Sequence, residues 1–306
     1  MLAIIYNPAA GRGRVSRAEL QRRLEKASGT TKFEIAATSP TQSARELAAI
    51  AVENGAQIVV AAGGDGTLGE ILNAVHGTGA KLGTLPLGTG NDFARTLGIG
   101  TDLDRAIETL FTGDCRTIDV GRADYNGQSR LFLNIAGCGF DALVARRINL
   151  GRTHPLWRHF HGVAAYLAAS ALELQRLRPA RLRLKLDGQL VDTRALLCAV
   201  ANAQSYGGGM KVAPDARLDD GLFDICVIKE ATRAEFLRAF PGVFRGAHIH
   251  HPRVEMFRAR RVELWCDRNW PILVDGELVG APPMTFEIVP NAVEIMAPSE
   301  IRRKLC

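Results

Sequence analysis

Residues 61–70 read AAGGDGTLGE and place one carboxylate, Asp65, inside a run of glycines. The stretch follows the apolar run QIVV and precedes the amphipathic run LGEILNAV, so it is predicted to join a strand to a helix. Glycines at such a junction let backbone N–H groups approach a phosphate, and a helix N-terminus favours an anion. Because a carboxylate repels a bare phosphate, the stretch predicts a divalent cation between the two.

The stretch has two other interpretations. Gly64, Gly66 and Gly69 match the spacing of the dinucleotide fingerprint. That fingerprint normally follows the first strand, whereas this stretch follows the third predicted strand, and no acidic residue stands at the end of the next strand to bind a ribose. The Asp-Gly pair also suits a plain tight turn with a helix cap. In the cation interpretation Asp65 holds magnesium, and Thr67 caps the helix or binds a phosphate oxygen.

The surrounding sequence repeats the same strand and helix alternation. The apolar runs LAIIYNP, KFEIAAT, QIVVAAGG and KLGTLPLG are separated by helix-like runs, which predicts a mostly parallel α/β sheet. Such sheets bind ligands beyond the carboxyl ends of their strands. The loops NPAAGRGR, GGDGT and LGTGND all fall at these ends, so they are predicted to face one crevice. The sequence contains no GxxxxGK[ST] motif, which argues against a P-loop fold.

From about Cys115 onward the pattern changes to short alternating runs joined by Asp-Gly or Gly turns, which predicts antiparallel strands in a second domain. Two helical candidates, GVAAYLAASALELQRL and RAEFLRAFPGVF, interrupt these runs. The six cysteines are scattered singly, so we expect small buried hydrophobic residues rather than a zinc or disulfide framework.

The amino-acid composition limits the class of protein and the kinds of partner. The 306 residues are 47% hydrophobic and 23% charged, which suits two globular domains. A net charge of +6 favours anionic partners, namely nucleic acid, an anionic lipid surface or nucleotide phosphates. The chain starts without a basic signal-peptide region and has no run of roughly 18 uncharged apolar residues, so a cytoplasmic protein is predicted.

Three motifs in this order, NPAAGRGR, GGDGTLGE and PLGTGNDFAR, resemble the diacylglycerol kinase catalytic-domain family, in particular the bacterial soluble lipid kinases of the YegS and BmrU type. NAD kinases and phosphofructokinases share GGDG, but PLGTGNDFAR separates the chain from NAD kinases. PDARLDDGLFDI and VDGELVG extend the resemblance over nearly the whole chain. It implies a phosphofructokinase-like α/β nucleotide domain (residues 1–122), a β-sandwich lipid-substrate domain (residues 123–296), and a tail (residues 297–306) that returns to the first domain.

The resemblance and the loop positions together predict an ATP site. Its expected residues are Asn7, Gly11, Arg12, Thr38, Gly63, Gly64, Asp65, Gly66, Thr67, Leu68, Gly69, Thr89, Asn91 and Asp92. Asp65 is expected to hold the water network of the catalytic magnesium, with Asp92 in support. In the DGE element Glu277 matches the position usually assigned as the proton acceptor, and Asp275 is its close competitor.

A second, structural metal is also implied by the resemblance. Asp220 would bind it through its side chain, and Arg217 and Leu222 would bind it through their main chains, an all-oxygen set that suits magnesium. An Asp-Gly turn between strands is the plain structural interpretation of LDDGLF, and the two are compatible.

Two further stretches have more than one interpretation. Asp187-Gly188-Gln189 occurs in nearly the same strand context as Asp275-Gly276-Glu277 but lacks the glutamate, so at least one of the two is predicted to be only a hairpin turn. Residues 146–161, RRINLGRTHPLWRHFH, mix basic and aromatic side chains, which suits the surface of an anionic bilayer but also nucleic acid or a solvated loop.

The hypothesis from the sequence is an ATP- and magnesium-dependent lipid kinase whose leading acceptor is diacylglycerol, giving phosphatidic acid. Sphingoid bases, phosphatidylglycerol and other lipid alcohols remain open as acceptors. The rival classes are a NAD kinase and a non-catalytic lipid- or nucleotide-binding regulator. The expected partners are ATP and a lipid at the inner face of the membrane, without nucleic acid, and a homodimer is permitted.

Overall fold

A computed structural model describes residues 1–151 and 163–299. Its strands are β1 (Leu2–Tyr6), β2 (Phe33–Ala37), β3 (Ile58–Gly63), β4 (Lys81–Pro86), β5 (Asp114–Tyr125), β6 (Gln128–Phe132), β7 (Ile135–Gly139), β8 (Ala180–Leu186), β9 (Gln189–Ala201), β10 (Phe223–Lys229), β11 (Val254–Ala259), β12 (Arg261–Cys266), β13 (Ile272–Val274), β14 (Glu277–Gly280) and β15 (Met284–Ala297). Its helices are α1 (Arg17–Ser28), α2 (Ala44–Glu53), α3 (Asp65–Val75), α4 (Asp92–Thr96), α5 (Leu103–Thr112), α6 (Phe140–Gly151), α7 (Val163–Arg176) and α8 (Arg233–Ala239).

The first domain is built on a parallel sheet in the order β2-β1-β3-β4. Strands β1, β3 and β4 are almost wholly buried, because helices cover the sheet: α1 packs with α5, and α2 packs with α3. Two of these helices begin at residues whose side chains cap the helix N-terminus. Ser43 and Glu46 form a capping box at α2, and Ser16 accepts the N–H of Glu19 at α1.

Two long strands join the domains. β5 and β15 pair antiparallel along their length, from Asp114 beside Ala297 to Asp124 beside Thr285. β15 also pairs with β12 in the second domain and runs parallel to β4 in the first, so one sheet continues through both domains. The expected boundary after residue 122 therefore falls inside β5. Within the expected returning tail, Ala297 ends β15 beside the first domain, and residues 300–306 lie outside the described part.

The second domain is an antiparallel, sandwich-like arrangement in which β9 pairs with β7, β8 and β10. Its apolar core includes Phe132, Phe223 and Phe286. The fold class is thus an α/β domain followed by a β-sandwich-like domain, as the sequence predicted. The cysteine prediction needs correction, because Cys115 is exposed and Cys266 is only partly buried, each lying near the end of a strand.

Several elements differ from the sequence expectation. RLFLNIAG divides into β6 and β7, and β11, α4, α5 and α6 were not foreseen. The helix expected over RAEFLRAFPGVF ends at Ala239 and continues as a 3-10 turn, Phe240–Arg245, because Pro241 cannot supply a helical N–H. In the described residues no helix has the length and apolar character to span a bilayer.

Candidate active site

Three loops meet at the carboxyl ends of β1, β3 and β4. The side-chain amide of Asn7, after β1, donates to the Thr67 hydroxyl at 3.0 Å. The N–H groups of Leu87 and Gly88, after β4, both donate to the carbonyl of Gly63, at 2.9 and 3.1 Å. These hydrogen bonds hold the three predicted nucleotide-binding loops together as one surface.

Glycines are needed here partly because the loops touch one another. Gly11 has a left-handed φ of 55°, and a Cβ atom on it would lie 2.3 Å from the carbonyl oxygen of Leu87. A Cβ atom on Gly88 would lie 2.5 Å from the Cα atom of Gly64. Larger residues at these positions would push the loops apart, so the glycines shape the surface before any ligand approaches.

Asp65 begins α3 and also caps α4. Its Oδ2 accepts the N–H of Asp92 at 3.1 Å, and its Oδ1 accepts the N–H of Phe93 at 3.0 Å. This role supplies a structural reason for a carboxylate inside the glycine loop, because the first N–H groups of a helix have no partner within the helix. It leaves further lone pairs on both oxygens for another ligand.

Asp92 links the two domains. It is buried, and its oxygens accept the N–H groups of Gly208 at 2.8 Å and Gly209 at 2.6 Å, both in the second domain. Burial raises the pKa of Asp92, the two N–H groups lower it, and the nearby charge of Asp65 raises it; the net shift is upward. Asp92 thus holds a glycine loop of the second domain against the nucleotide-binding surface.

Asp275 forms the turn between β13 and β14 with a left-handed φ of 45°. Its carboxylate accepts three consecutive N–H groups at the start of β7, from Leu133 at 2.7 Å, Asn134 at 2.9 Å and Ile135 at 3.2 Å. Burial raises its pKa to about 6, against the effect of these hydrogen bonds. Both oxygens of Asp275 are therefore engaged in fixing the turn.

Glu277 follows this turn and faces the glycine loop. Its side chain is 48% exposed, and its Oε2 accepts a hydrogen bond from Arg130 at 2.6 Å. Its Oε1 lies 3.9 Å from the position that a Cβ atom on Gly66 would take. Burial lowers the pKa of Arg130, but the contact with Glu277 raises it, and the net shift is upward. Among the described residues Oε1 of Glu277 has no hydrogen-bond partner, whereas both oxygens of Asp275 accept N–H groups.

The other predicted nucleotide-binding residues are distributed around these loops. Thr38 follows β2, and its N–H donates to the end of β1. Thr89 is exposed between β4 and α4, whereas Asn91 is buried there with a left-handed φ of 53°. The side chain of Leu68 is buried in the core, so only its backbone is available. The side chain of Arg12 lies outside the described part of the structure.

At the predicted structural metal site, the Asp220 carboxylate contacts the guanidinium of Arg258 and accepts the N–H of Leu222 at 3.1 Å. Arg217 lies in the same loop. Arg258 thus places a positive charge where the metal was expected. Nearby Asp224 is buried, and burial raises its pKa to about 6. Over residues 1–151 and 163–299 no group of three or more His, Cys, Asp or Glu side chains is arranged to hold a metal ion.

Sequence reasoning missed three polar residues, one that holds Glu277 and two that align the domains. Arg130 pairs with Glu277, and Asn73 of α3 exchanges two hydrogen bonds, each 3.0 Å, with the backbone of Leu131 in β6. Asp119 is buried in β5, and its carboxylate accepts two N–H groups of the second domain. A carboxylate inside the apolar run TIDV was the one signal available for Asp119; Arg130 and Asn73 give none.

The second domain also contains a small apolar cavity of about 60 Å³. Its lining includes Phe140, Leu197, Tyr206, Met210, Ile228 and Phe240. Tyr206 and Met210 flank the glycine loop that Asp92 holds, and their backbones pair with each other. One loop therefore connects the cavity wall to the nucleotide-binding surface.

Each of the two domains matches the model of a known protein family. Residues 1–123 match the diacylglycerol kinase catalytic domain, and residues 134–297 match the YegS C-terminal NAD kinase beta sandwich-like domain. The chain is 38% identical to a diacylglycerol kinase of Mycobacterium tuberculosis over 258 residues, covering 83% of this chain and 81% of the relative. It is 33% identical to a diacylglycerol kinase of Bacillus subtilis over 313 residues, covering 99% and 98%.

A solved structure shares the fold over almost the entire chain. It is a putative diacylglycerol kinase from Bacillus anthracis, with a TM-score of 0.74 at 22% identity, covering 98% of each chain. The domain matches and the identities to full-length relatives show the family. The chain belongs to the diacylglycerol kinase family and is a lipid kinase.

Proposed function

We propose that this kinase uses ATP and magnesium to phosphorylate the hydroxyl of diacylglycerol, giving phosphatidic acid at the inner face of the membrane. The observation that carries the proposal is the contact across the domain cleft, where Glu277 of the second domain faces Gly66 at the N-terminus of α3. A helix N-terminus suits the phosphates of a nucleotide, and a carboxylate opposite it suits the proton of an acceptor hydroxyl.

A magnesium ion fits the carboxylates beside this contact. Oδ2 of Asp65 and Oδ2 of Asp92 lie 3.3 and 3.0 Å from one point, the position of a Cβ atom on Gly90. The negative charge of Asp65 raises the pKa of Asp92, so the two carboxylates repel each other, and a divalent cation would relieve that repulsion. Asp65 and Asp92 would hold the ion, which neutralises charge on the transferring phosphate when it is bound.

The residues of the chain would then position the acceptor and accept its proton. As the lipid oxygen forms its bond to the γ-phosphorus and the bond to the bridging oxygen breaks, the hydroxyl proton passes to Oε1 of Glu277. Arg130 holds Oε2 of the same side chain, which fixes its direction. Asp275 fixes the turn that presents Glu277. Phosphoryl transfer depends mainly on such positioning.

The apolar cavity supports a lipid rather than a dinucleotide as the acceptor. Its lining is mostly aliphatic and aromatic, which suits hydrocarbon better than a polar nucleotide. The glycine loop between Tyr206 and Met210 separates it from Asp92. An acceptor with hydrocarbon chains in the cavity would place its polar end toward the cleft.

The test is transfer of labelled γ-phosphate from ATP to mixed micelles of diacylglycerol, sphingosine or phosphatidylglycerol, with NAD in parallel and with magnesium present or chelated. We expect label in diacylglycerol, lost without magnesium. Label in another lipid alone would make that lipid the acceptor in place of diacylglycerol. Label in NAD alone would favour a NAD kinase. ATP binding without transfer to any acceptor would favour a non-catalytic regulator.

The role of Asp65 can be separated from its capping of α4. Asp65→Asn is expected to abolish transfer. The control for loss of a helix cap is Asp102→Asn, because Asp102 accepts the N–H groups of Asp104 and Arg105 at the start of α5, away from the glycine loop. Wild-type transfer by Asp65→Asn, or an equal loss in Asp102→Asn, would contradict the proposed metal role.

A further inference from the structure

One segment of the second domain has two different apolar faces. The α8 segment, residues 233–250, consists of α8 and the 3-10 turns Phe240–Arg245 and Ala247–His250. Phe236, Phe240 and Val243 are spaced by four and three residues, as on one face of a helix, and they line the apolar cavity. The inner face of the segment is therefore the wall of the proposed lipid cavity.

The outer face of the same segment is apolar and exposed. Leu237, Pro241 and Phe244 repeat the four- and three-residue spacing one position further along the chain. The side chain of Leu237 is 58% exposed and that of Phe244 is 49% exposed. The ring of Phe244 packs edge-to-face on Phe240 with centroids 6.1 Å apart, so the outer face is backed by the cavity wall.

Positive charge accompanies this outer face. Arg238 and Arg245 follow Leu237 and Phe244 directly, and both are exposed. Neither arginine forms an ion pair with any acidic side chain in the described part of the chain. The acidic residue of the segment, Glu235, is engaged in the capping box of α8. The face thus combines exposed apolar side chains with uncompensated positive charge.

We propose that the outer face of the α8 segment docks on an anionic lipid bilayer. Arginines near an anionic membrane surface are attracted to its headgroups, and large apolar side chains enter the interface beside them. The cavity then lies directly behind the docked face, so a hydrocarbon chain has a short path from the bilayer. The inference rests on the proposed lipid-kinase function, because only a lipid acceptor requires that path.

Sedimentation with vesicles tests the docking without any catalytic step. The full-length protein is mixed with phosphatidylcholine vesicles that contain phosphatidylglycerol, and with phosphatidylcholine vesicles alone, in the absence of ATP. Phe244→Ser and Leu237→Ser remove apolar side chains from the face, and the double variant Arg238→Gln/Arg245→Gln removes its charge. The matched controls are Leu190→Ser, a 77% exposed leucine beside the β8–β9 turn, and Arg260→Gln/Arg268→Gln.

We expect the wild-type protein to bind the anionic vesicles more tightly than the neutral ones. Phe244→Ser should weaken that binding about tenfold through lost apolar burial. The arginine double variant should weaken it about tenfold or more at low salt and remove the preference for anionic vesicles. Both control variants should bind as the wild-type protein does.

The inference is overturned if the wild-type protein does not bind anionic vesicles, or if the α8-segment variants and the controls bind alike. Transfer to a dispersed short-chain diacylglycerol distinguishes this failure from failure of the proposed function. That activity needs no surface, so Phe244→Ser and the arginine double variant should retain it. Retained transfer together with unchanged vesicle binding would remove the docking surface and leave the kinase assignment standing.

Discussion

Two hairpin turns of the second domain share a tripeptide pattern but lie in different surroundings. In the β8–β9 turn Asp187 has φ 47° and Gly188 has φ 95°; in the β13–β14 turn Asp275 has φ 45° and Gly276 has φ 86°. Asp187 accepts the N–H groups of residues 260 and 261, and Asp275 accepts those of residues 133, 134 and 135. In both turns, aspartate therefore serves as an anchor onto a neighbouring backbone segment.

What distinguishes the turns is the third residue and what it faces. Gln189 begins β9 in an exposed position, whereas Glu277 begins β14 opposite Gly66, with Arg130 on its other oxygen. The comparison shows that the aspartates anchor the turns, and it supports our proposal that the glutamate accepts the proton. It also answers the question left open by the two similar sequences, because both are hairpin turns and one of them lies in the cleft.

The largest effect is expected from Glu277→Gln. Loss of the proton acceptor should lower steady-state transfer by about 10²–10⁴-fold while ATP binding is retained. Glu230→Gln is the matched control, because Glu230 is similarly exposed, at 54%, and pairs with Arg194 away from the cleft. Transfer and ATP affinity are measured for both variants. Near-wild-type transfer by Glu277→Gln, or an equal loss in the control, would refute the assignment.

A smaller effect is expected from Asp275→Asn. Asparagine tolerates the left-handed turn, but its amide cannot accept all three N–H groups, so Glu277 would be less well positioned. We expect transfer to fall about tenfold, less than in Glu277→Gln. Asp187→Asn, which loosens the equivalent anchor, should leave transfer unchanged. If the two asparagine variants lose transfer equally, the loss reflects general destabilisation rather than positioning.

The raised pKa of Asp275 gives a pH effect on stability. Its pKa is about 6 in the folded protein and about 3.9 in an unfolded chain, so the folded state binds the extra proton between these values. Its contribution to stability is therefore full below about pH 4 and declines as the pH rises through 6. Denaturant titrations give the free energy of unfolding of the wild-type protein and of Asp275→Asn at each pH. The wild-type value minus the variant value should decrease as the pH rises from about 4 to about 6. A constant or increasing difference would show that burial does not dominate at this carboxyl.

The smallest effect is expected from Gln189→Glu, which completes the Asp-Gly-Glu sequence in the turn outside the cleft. Transfer by this variant, and by the double variant with Glu277→Gln, should equal that of the parent proteins. Restored transfer in the double variant would show that the sequence of the turn, rather than its place in the cleft, confers the activity.

Much of the fold could be predicted, because hydrophobic periodicity and turn residues are local signals. The three loops at the strand ends followed from the parallel topology, and GGDG and GTGND fell where that topology required. The short helix α4 was missed because five residues carry too little periodicity, and its cap comes from Asp65, 27 residues earlier.

The contacts across the cleft could not be predicted from the sequence. Asn73 and Leu131 are 58 residues apart, and Asp92 and Gly208 are 116 apart. No local pattern reports such a pairing, since it depends on how the second domain folds back on the first. For the same reason the sequence left Asp275 and Glu277 as competitors, and our preference for Glu277 rests on the hydrogen-bond partners of their oxygens.

The central claim is that Glu277 receives the proton of a lipid hydroxyl as phosphate is transferred. Single-turnover transfer tests it most directly, because it separates the chemical step from binding and product release. Wild-type protein and Glu277→Gln, each loaded with labelled ATP and magnesium, are mixed with diacylglycerol micelles. We expect rapid labelling of the lipid by the wild-type protein and slow or no labelling by the variant at equal ATP occupancy. Equal rates for the two proteins would contradict the claim.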